Sequence, residues 1–320
     1  MKGETMKGKR IFINLKRFDI PASRGGICPL EDPPVWAKDI LRRTVALGLP
    51  GKGDLRFVFF FPQSLLVPAV QTLRELKVDS SVLSVGCQGV YREDVRPGGN
   101  FGAFTTQFPA QAAASLGCLW ALIGHSEERK DKFELIADYD PAVHTMREAR
   151  ERANEAVDRV LNQEVHRALE AGLKVLFCVG ETAEEKGEGT EDEQKTRVQK
   201  VLRRQLAVGL VGVKEALAKV PGTGELVIGY EPRWAIGPGK VPPGPDYIEF
   251  VSREIKKSAP LDREPDVVYG GGLKVENAKS IGGVRSIDGG LVALTRFTPP
   301  LEFSPEGLAE IVDRYLEGIA

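Results

Sequence analysis

Gly229-Tyr-Glu-Pro-Arg-Trp-Ala-Ile-Gly-Pro-Gly-Lys240 is the stretch from which the rest of the chain is read. The apolar run Leu226-Val-Ile228 leads into it and stops abruptly at Glu231 and Pro232. A carboxylate at the end of a buried strand, followed by a Gly/Pro-rich loop, reads as a base beneath a lid. The strand would hold the carboxylate rigidly, and the loop would close over a small ligand and exclude water. The same residues also describe a strand that merely ends in a charged turn, because loops at strand ends are polar in general. The other strand ends decide between the two.

Outward from this stretch, short β-rich apolar runs alternate with longer segments of helical period, the pattern of repeated βα units and a parallel sheet. Eight runs begin near Ile11, Phe57, Val82, Leu119, Val175, Leu226, Val267 and Leu291. Helices are expected over 36–47, 65–76, 107–116, 141–171, 191–220, 247–257, 275–281 and 305–316. Eight strands each followed by a helix predict an α/β fold closed into a single (β/α)8 barrel. Asp140 before Pro141, Thr190 with Glu193, Asp246 with Glu249, and Ser304 before Pro305 mark helix starts. Neither a linker nor an internal repeat divides the chain, so a short tail over 1–9 and one domain over 10–320 are expected.

The 44 basic and 45 acidic residues leave a formal charge of −1. Nothing in that balance points to nucleic acid or an anionic membrane, and a small molecule is the expected partner. No apolar run is long enough to span a bilayer, and the first ten residues lack the apolar core of a signal peptide, so a cytoplasmic protein is expected. The four cysteines show no Cys-x-x-Cys spacing and read as reduced core residues. Three histidines without a His/Cys cluster give no metal site to expect.

In such a barrel the active site lies at the carboxyl ends of the strands. Those ends read Asn14-Leu-Lys16, Gly124-His-Ser-Glu127, Cys178-Val-Gly-Glu181, Tyr230-Glu-Pro232 and Tyr269-Gly-Gly-Gly272. One Lys, one His and one Glu converging on a Gly-rich rim suit proton transfer next to a carbonyl, with an anionic group held by backbone N–H donors. Singly, each has a plainer reading: His125 as a structural histidine, Lys16 as a solvated charge, Gly270 to Gly272 as a tight turn, Cys178 as packing.

Jointly, these motifs resemble the triosephosphate isomerase family, in the family's order and over the chain from about Ile11 to Leu316. Asn-x-Lys, Ile-Gly-His-Ser-Glu, Cys-Val-Gly-Glu, Tyr-Glu-Pro-x-Trp-Ala-Ile-Gly-x-Gly-Lys and Tyr-Gly-Gly carry the resemblance. It implies a TIM barrel and a cofactor-independent aldose–ketose isomerase that interconverts dihydroxyacetone phosphate and glyceraldehyde 3-phosphate through an enediolate. It implies further that Glu231 is the proton-shuttling base, His125 the neutral electrophile and Lys16 the cation facing the enediolate. Asn14 would orient Lys16, and Glu127 would be its ionic partner. A homodimer built on the third loop is also implied, with Phe101-Gly-Ala-Phe-Thr105 keeping that loop's apolar tip. Two other readings stay open: an isomerase of a four-carbon ketose phosphate, and a barrel that binds a sugar phosphate or a protein without turnover. Mere binding needs no base, and that weighs against the last.

Departures from the family pattern cluster around phosphate and subunit contacts. Gly272 stands where Ser is usual, and Ala293-Leu294 where a Gly-Gly pair grips phosphate. Phosphate is therefore expected on the backbone donors of Gly237 and Gly272, beside a rim crowded by Leu294, with Arg296 replacing part of the lost donor set unless it is taken up in a surface ion pair, the commoner fate of an isolated arginine. Pro238 replaces a common Thr and is expected to stiffen the lid. The third loop ends Thr-Gln107 in place of Gly-Glu, and Glu128 replaces that Glu's Arg partner. Insertions are read at 18–34, 91–100, 130–152 and 297–303.

Overall fold

The computed structural model describes residues 8–220, 224–237 and 239–319. Its eight strands are β1 (Arg10–Asn14), β2 (Arg56–Phe61), β3 (Leu83–Cys87), β4 (Trp120–Ile123), β5 (Lys174–Val179), β6 (Leu226–Tyr230), β7 (Asp266–Tyr269) and β8 (Gly289–Val292). All pair in parallel with their sequence neighbours, and β8 returns to β1 to close the barrel. Around it run α1 (Pro33–Ala46), α2 (Leu66–Glu75), α3 (Ala110–Leu116), α4 (Ser126–Tyr139), α5 (Arg147–Glu170), α6 (Ala183–Lys186), α7 (Glu191–Gly209), α8 (Val213–Ala218), α9 (Pro245–Ser258), α10 (Val275–Gly282) and α11 (Pro305–Ile319).

Alternate strand residues face opposite ways, and both faces are apolar because helices cover the outside. Phe12, Val58, Phe60, Trp120, Leu122, Leu176, Cys178, Val227, Val268 and Leu291 fill the barrel, while Ile11, Ile13, Phe57, Phe59 and Phe61 pack toward the helices. Phe12 stacks on Phe60 at 5.8 Å between centroids and meets Trp120 edge-on at 5.1 Å. At the floor, Arg10 pairs with Asp266 (2.7 Å) and with Glu225, its guanidinium 5.7 Å from the Trp120 ring centroid. A filled barrel leaves the carboxyl rim for chemistry.

The strands begin within two residues of the expected positions. Three helical expectations are corrected. The segment 141–171 divides into a 3-10 turn over Pro141–His144, capped by Asp140 on the Ala142 N–H (3.1 Å), and then α5. The segment 191–220 breaks after α7, where Gly212 at φ 71° starts α8. Asp246 is not a cap: Pro245 takes the first helical position of α9, and Gly244 precedes it. The structure also adds α4, which pattern alone did not show, because Ser126 to Tyr139 carries few apolar residues at helical spacing. Thr190 and Glu193 form the expected capping box. Lys9, placed in the tail, donates to the Ile287 carbonyl at 2.6 Å and so joins the barrel floor; residues 1–7 of that tail lie outside the described residues.

If the stacked Phe12 organises the barrel interior, Phe12→Ala should lower unfolding free energy by about 3–5 kcal/mol, as large-to-small core replacements of Phe do. Urea unfolding at matched conditions measures it, and a loss below about 1 kcal/mol would contradict this packing.

Candidate active site

At the end of β1 the backbone turns sharply, and Lys16 takes φ 41°, a left-handed value that costs a non-glycine residue about 1–3 kcal/mol. Side-chain amides hold it there. Asn14 Oδ1 accepts the Lys16 N–H (3.0 Å), and Gln88 Nε2 donates to the Lys16 carbonyl (2.8 Å), Asn14 Oδ1 (3.2 Å) and the Phe60 carbonyl (3.3 Å). The Lys16 ammonium meets Glu127 Oε1 at 2.7 Å. Desolvation alone would raise the Glu127 carboxyl, but the hydrogen bond and charge of Lys16, aided by His125, hold it below the usual carboxylate range.

Gly124 (φ 77°) turns the chain out of β4, and His125 becomes the N-cap of α4. Its Nδ1 accepts the Glu127 N–H at 3.4 Å, which leaves Nε2 to carry the proton of a neutral ring. Nε2 lies 3.1 Å from Glu231 Oε1, and the Ser126 N–H donates to Glu231 Oε2 at 2.9 Å. Glu231 is 3% exposed and His125 8%. A carboxylate at the start of α4 also meets the favourable end of the helix dipole. Two glycines make room for it: a Cβ on Gly180 would fall 1.8 Å from the Glu231 carbonyl oxygen, and one on Gly270 would fall 3.0 Å from Glu231 Cγ and 3.4 Å from Leu291 Cδ2.

Behind this pair the Gly124 peptide is gripped at both ends. Arg129 Nε donates to its carbonyl (2.8 Å) and NH2 to the Cys178 carbonyl (2.8 Å), while NH1 meets Asp158 (2.6 Å). Glu128 Oε2 accepts the Gly124 N–H (2.6 Å), so the residue at the family's arginine position turns inward. Lys132 bridges Glu128 (2.6 Å) and the buried Glu164 (3.1 Å). Burial and the Glu128 carboxylate push Glu164 up to about 9, with Lys132 opposing. Cys178 sits in the barrel core, and burial followed by the nearby Glu231 raises its thiol well up, consistent with packing.

The lid leaves β6 through Pro232 and a 3-10 turn over Arg233–Ala235. Buried Glu181 anchors it, accepting from Trp234 Nε1 (2.7 Å), Tyr230 OH (3.1 Å) and Tyr247 OH (3.1 Å). Lys186 Nζ stands 3.6 Å from the Trp234 ring centroid. Gly237 (φ 114°) and Gly239 (φ 77°) adopt values that favour glycine. Pro238, expected to stiffen this loop, lies outside the described residues.

On the far rim Gly272 (φ 92°) follows β7, and half-buried Leu294 follows β8. Of the two courses open to it, phosphate contact or a surface ion pair, Arg296 takes the ion pair. Its NH2 pairs with Glu302 (2.9 Å) and its Nε donates to the Pro300 carbonyl (2.7 Å), so the guanidinium is committed within its own hairpin, 46% exposed. The five residues between Arg296 and Glu302 let the turn close, and a nearby acid captured the arginine.

The fold thus joins Asn14, Lys16, His125, Glu127 and Glu231 through contacts, and sets Gly237, Gly272 and Leu294 on the same carboxyl rim. Sequence reasoning missed Gln88, Arg129 and the room that Gly270 leaves for Glu231. Gln88 had a signal in Cys87-Gln-Gly89, a polar residue at the end of the third strand; the roles of the other two need tertiary structure.

Glu164 generates a pH test. Its folded value lies above that of an unfolded carboxylate, so the fold prefers the protonated form. That stability is complete below the unfolded value of about 4.3 and is lost as pH rises toward about 9. Glu164→Gln should therefore weaken the fall in the urea midpoint between about pH 5 and about pH 9. Parallel curves for the two proteins would show that Glu164 ionises freely.

A family model described as "Triosephosphate isomerase" matches residues 50–300. The triosephosphate isomerase of Nitratidesulfovibrio vulgaris is 33% identical over 246 residues, which cover 75% of this chain and 80% of that protein. That of Lawsonia intracellularis is 30% identical over 262 residues, 80% of this chain and 85% of its own. Among solved structures, the triosephosphate isomerase of Bartonella henselae aligns with a TM-score of 0.61 at 20% identity, covering 97% of this chain and 99% of the other, a likeness of fold. The matched residues include most of the barrel and the strand ends that carry His125 and Glu231, and the chain belongs to the triosephosphate isomerase family.

Proposed function

We propose that this chain is a cofactor-independent aldose–ketose isomerase that interconverts dihydroxyacetone phosphate and glyceraldehyde 3-phosphate. One observation carries the reading: the Glu231 carboxylate rests on the His125 Nε2 (3.1 Å) and the Ser126 N–H (2.9 Å). Substrate oxygens need those same donors. When substrate enters, Glu231 gives them up, and its freed carboxylate takes a proton from the carbon beside the carbonyl. The C–H electron pair becomes the C=C bond of an enediolate, and the former carbonyl oxygen takes the negative charge. His125 donates a hydrogen bond to that oxygen and Lys16 supplies a fixed positive charge. His125 gives its proton to that oxygen and takes the hydroxyl proton of the adjacent carbon. Glu231 returns its proton to the former carbonyl carbon as the C=C pair forms the new C–H bond and the other oxygen closes the new carbonyl. The residues supply both base and charge stabilisation, so no step calls on a cofactor. A closed lid over this pocket keeps water from the intermediate.

The same reading makes the protein a cytoplasmic enzyme of glycolysis and gluconeogenesis, and the four free, buried cysteines agree with a reducing compartment. It also makes the chain a homodimer through the third loop. In support, Phe101 at that loop's tip is 91% exposed at φ 43°, and an aromatic ring held outward in this way fits a partner's pocket. Light scattering at micromolar concentration should give twice the chain mass; a fully active monomer would refute the dimer.

A coupled assay across three- to five-carbon sugar phosphates should show the highest kcat/KM for the triose phosphates. Glu231→Gln should then lower kcat by about 100- to 10,000-fold, the usual contribution of a general base, with KM little changed. A Gln variant within tenfold of the parent rate, about 1.4 kcal/mol in the barrier, would remove Glu231 from the proton transfer.

A further inference from the structure

The rim between β7 and β8 lacks two things that a phosphate dianion would use: the family's Gly-Gly pair, replaced by Ala293-Leu294, and a free guanidinium, since Arg296 is bound to Glu302. It does hold another cation. Lys274 Cε lies 3.7 Å from the position a Cβ on Gly272 would take, beside the backbone expected to face phosphate. The Lys274 ammonium stands 4.2 Å from the ring centroid of Phe297, which belongs to the segment after β8. The side chain therefore bridges the loops after β7 and β8, the pair that frames the phosphate site in many barrels of this kind.

Three further observations fit a binding role. Among the described residues no carboxylate lies within ion-pair distance of Lys274, whereas lysines 16, 132, 174 and 256 are each paired. Its backbone is fixed: the Lys274 N–H donates to Asn277 Oδ1 (2.8 Å), and Asn277 Nδ2 returns to the Gly272 carbonyl (3.0 Å), so Lys274 and Gly272 move as one turn. Contact with an aromatic face restrains the ammonium but leaves N–H bonds directed away from the ring. A half-buried cation without an acid partner keeps its charge for an incoming anion.

We propose that Lys274 is the residue that holds the substrate's phosphate dianion across the β7 and β8 loops, in the role the sequence suggested for Arg296. This rests on the sugar-phosphate reading above. The ammonium acts as a point charge with rotatable donors, which suits a rim where Leu294 restricts close backbone approach.

The test compares the full chain with Lys274→Met, Lys274→Gln and Lys274→Arg, with circular dichroism confirming the fold. Three quantities are read: KM for glyceraldehyde 3-phosphate, the inhibition constant of inorganic phosphate, and kcat/KM for unphosphorylated glyceraldehyde. In the Met and Gln variants KM and the phosphate inhibition constant should each rise about tenfold, as loss of a charge-assisted hydrogen bond does, and Arg should restore most of it. The preference for phosphorylated over unphosphorylated substrate should fall by a similar factor. Arg296→Ala should shift KM by no more than about twofold, because its exposed ion pair contributes little. Folded Met and Gln variants with parental KM and phosphate inhibition, or an equal loss on glyceraldehyde, would overturn the assignment of Lys274 alone. A parent chain that neither turns over triose phosphate nor is inhibited by phosphate would overturn the function itself.

Discussion

The contact of the Glu231 carboxylate with His125 Nε2 and the hydrogen bond it accepts from the Ser126 N–H are the constraint on which the site depends. They join the end of β4 to the end of β6, with β5 between. Such a span is possible because Gly180 at the end of β5 has no Cβ to strike the Glu231 carbonyl. The same arrangement buries a carboxylate among apolar neighbours without leaving it unpaired, which would be costly. It also bears on the proposed chemistry, since the groups that hold the resting Glu231 carboxylate are those an enediolate would use.

Around that contact the chain fixes backbone more than side chains. Lys16 keeps a strained φ because Asn14 and Gln88 hold its peptide, and Gly124 is clamped by Glu128 on its N–H and Arg129 on its carbonyl. Glu181 does the same for the lid hinge through Trp234, Tyr230 and Tyr247. Each clamp removes motion from a group that must be aligned within a fraction of an ångström, and alignment is a large part of what a proton-transfer site contributes.

Much of this was legible in the sequence because it is local. A strand that ends on a polar residue announces itself, so Asn14, Lys16, His125, Glu127 and Glu231 stood out, and eight apolar runs separated by helical period predicted the barrel. What escaped depends on distant residues. Gln88 matters because β1, β2 and β3 lie in register, bringing the Phe60 and Lys16 carbonyls to its amide. The role of Arg296 turned on Glu302, six residues away across a turn that composition does not specify. Helix α4 was hidden because its polar sequence leaves a narrow buried side, chiefly Arg129 and Ala137. At Glu128 the sequence showed a lost ion pair, and the structure shows an inward contact in its place.

The central claim is that one carboxylate moves a proton between adjacent carbons through an enediolate. Turnover of dihydroxyacetone phosphate in deuterium oxide, followed by NMR of the trapped product, tests it most directly. Exchange of a carboxyl proton with solvent should place deuterium on the carbon that becomes C2 of glyceraldehyde 3-phosphate. Complete retention of hydrogen during rapid turnover would mean direct transfer between the carbons and would contradict the account.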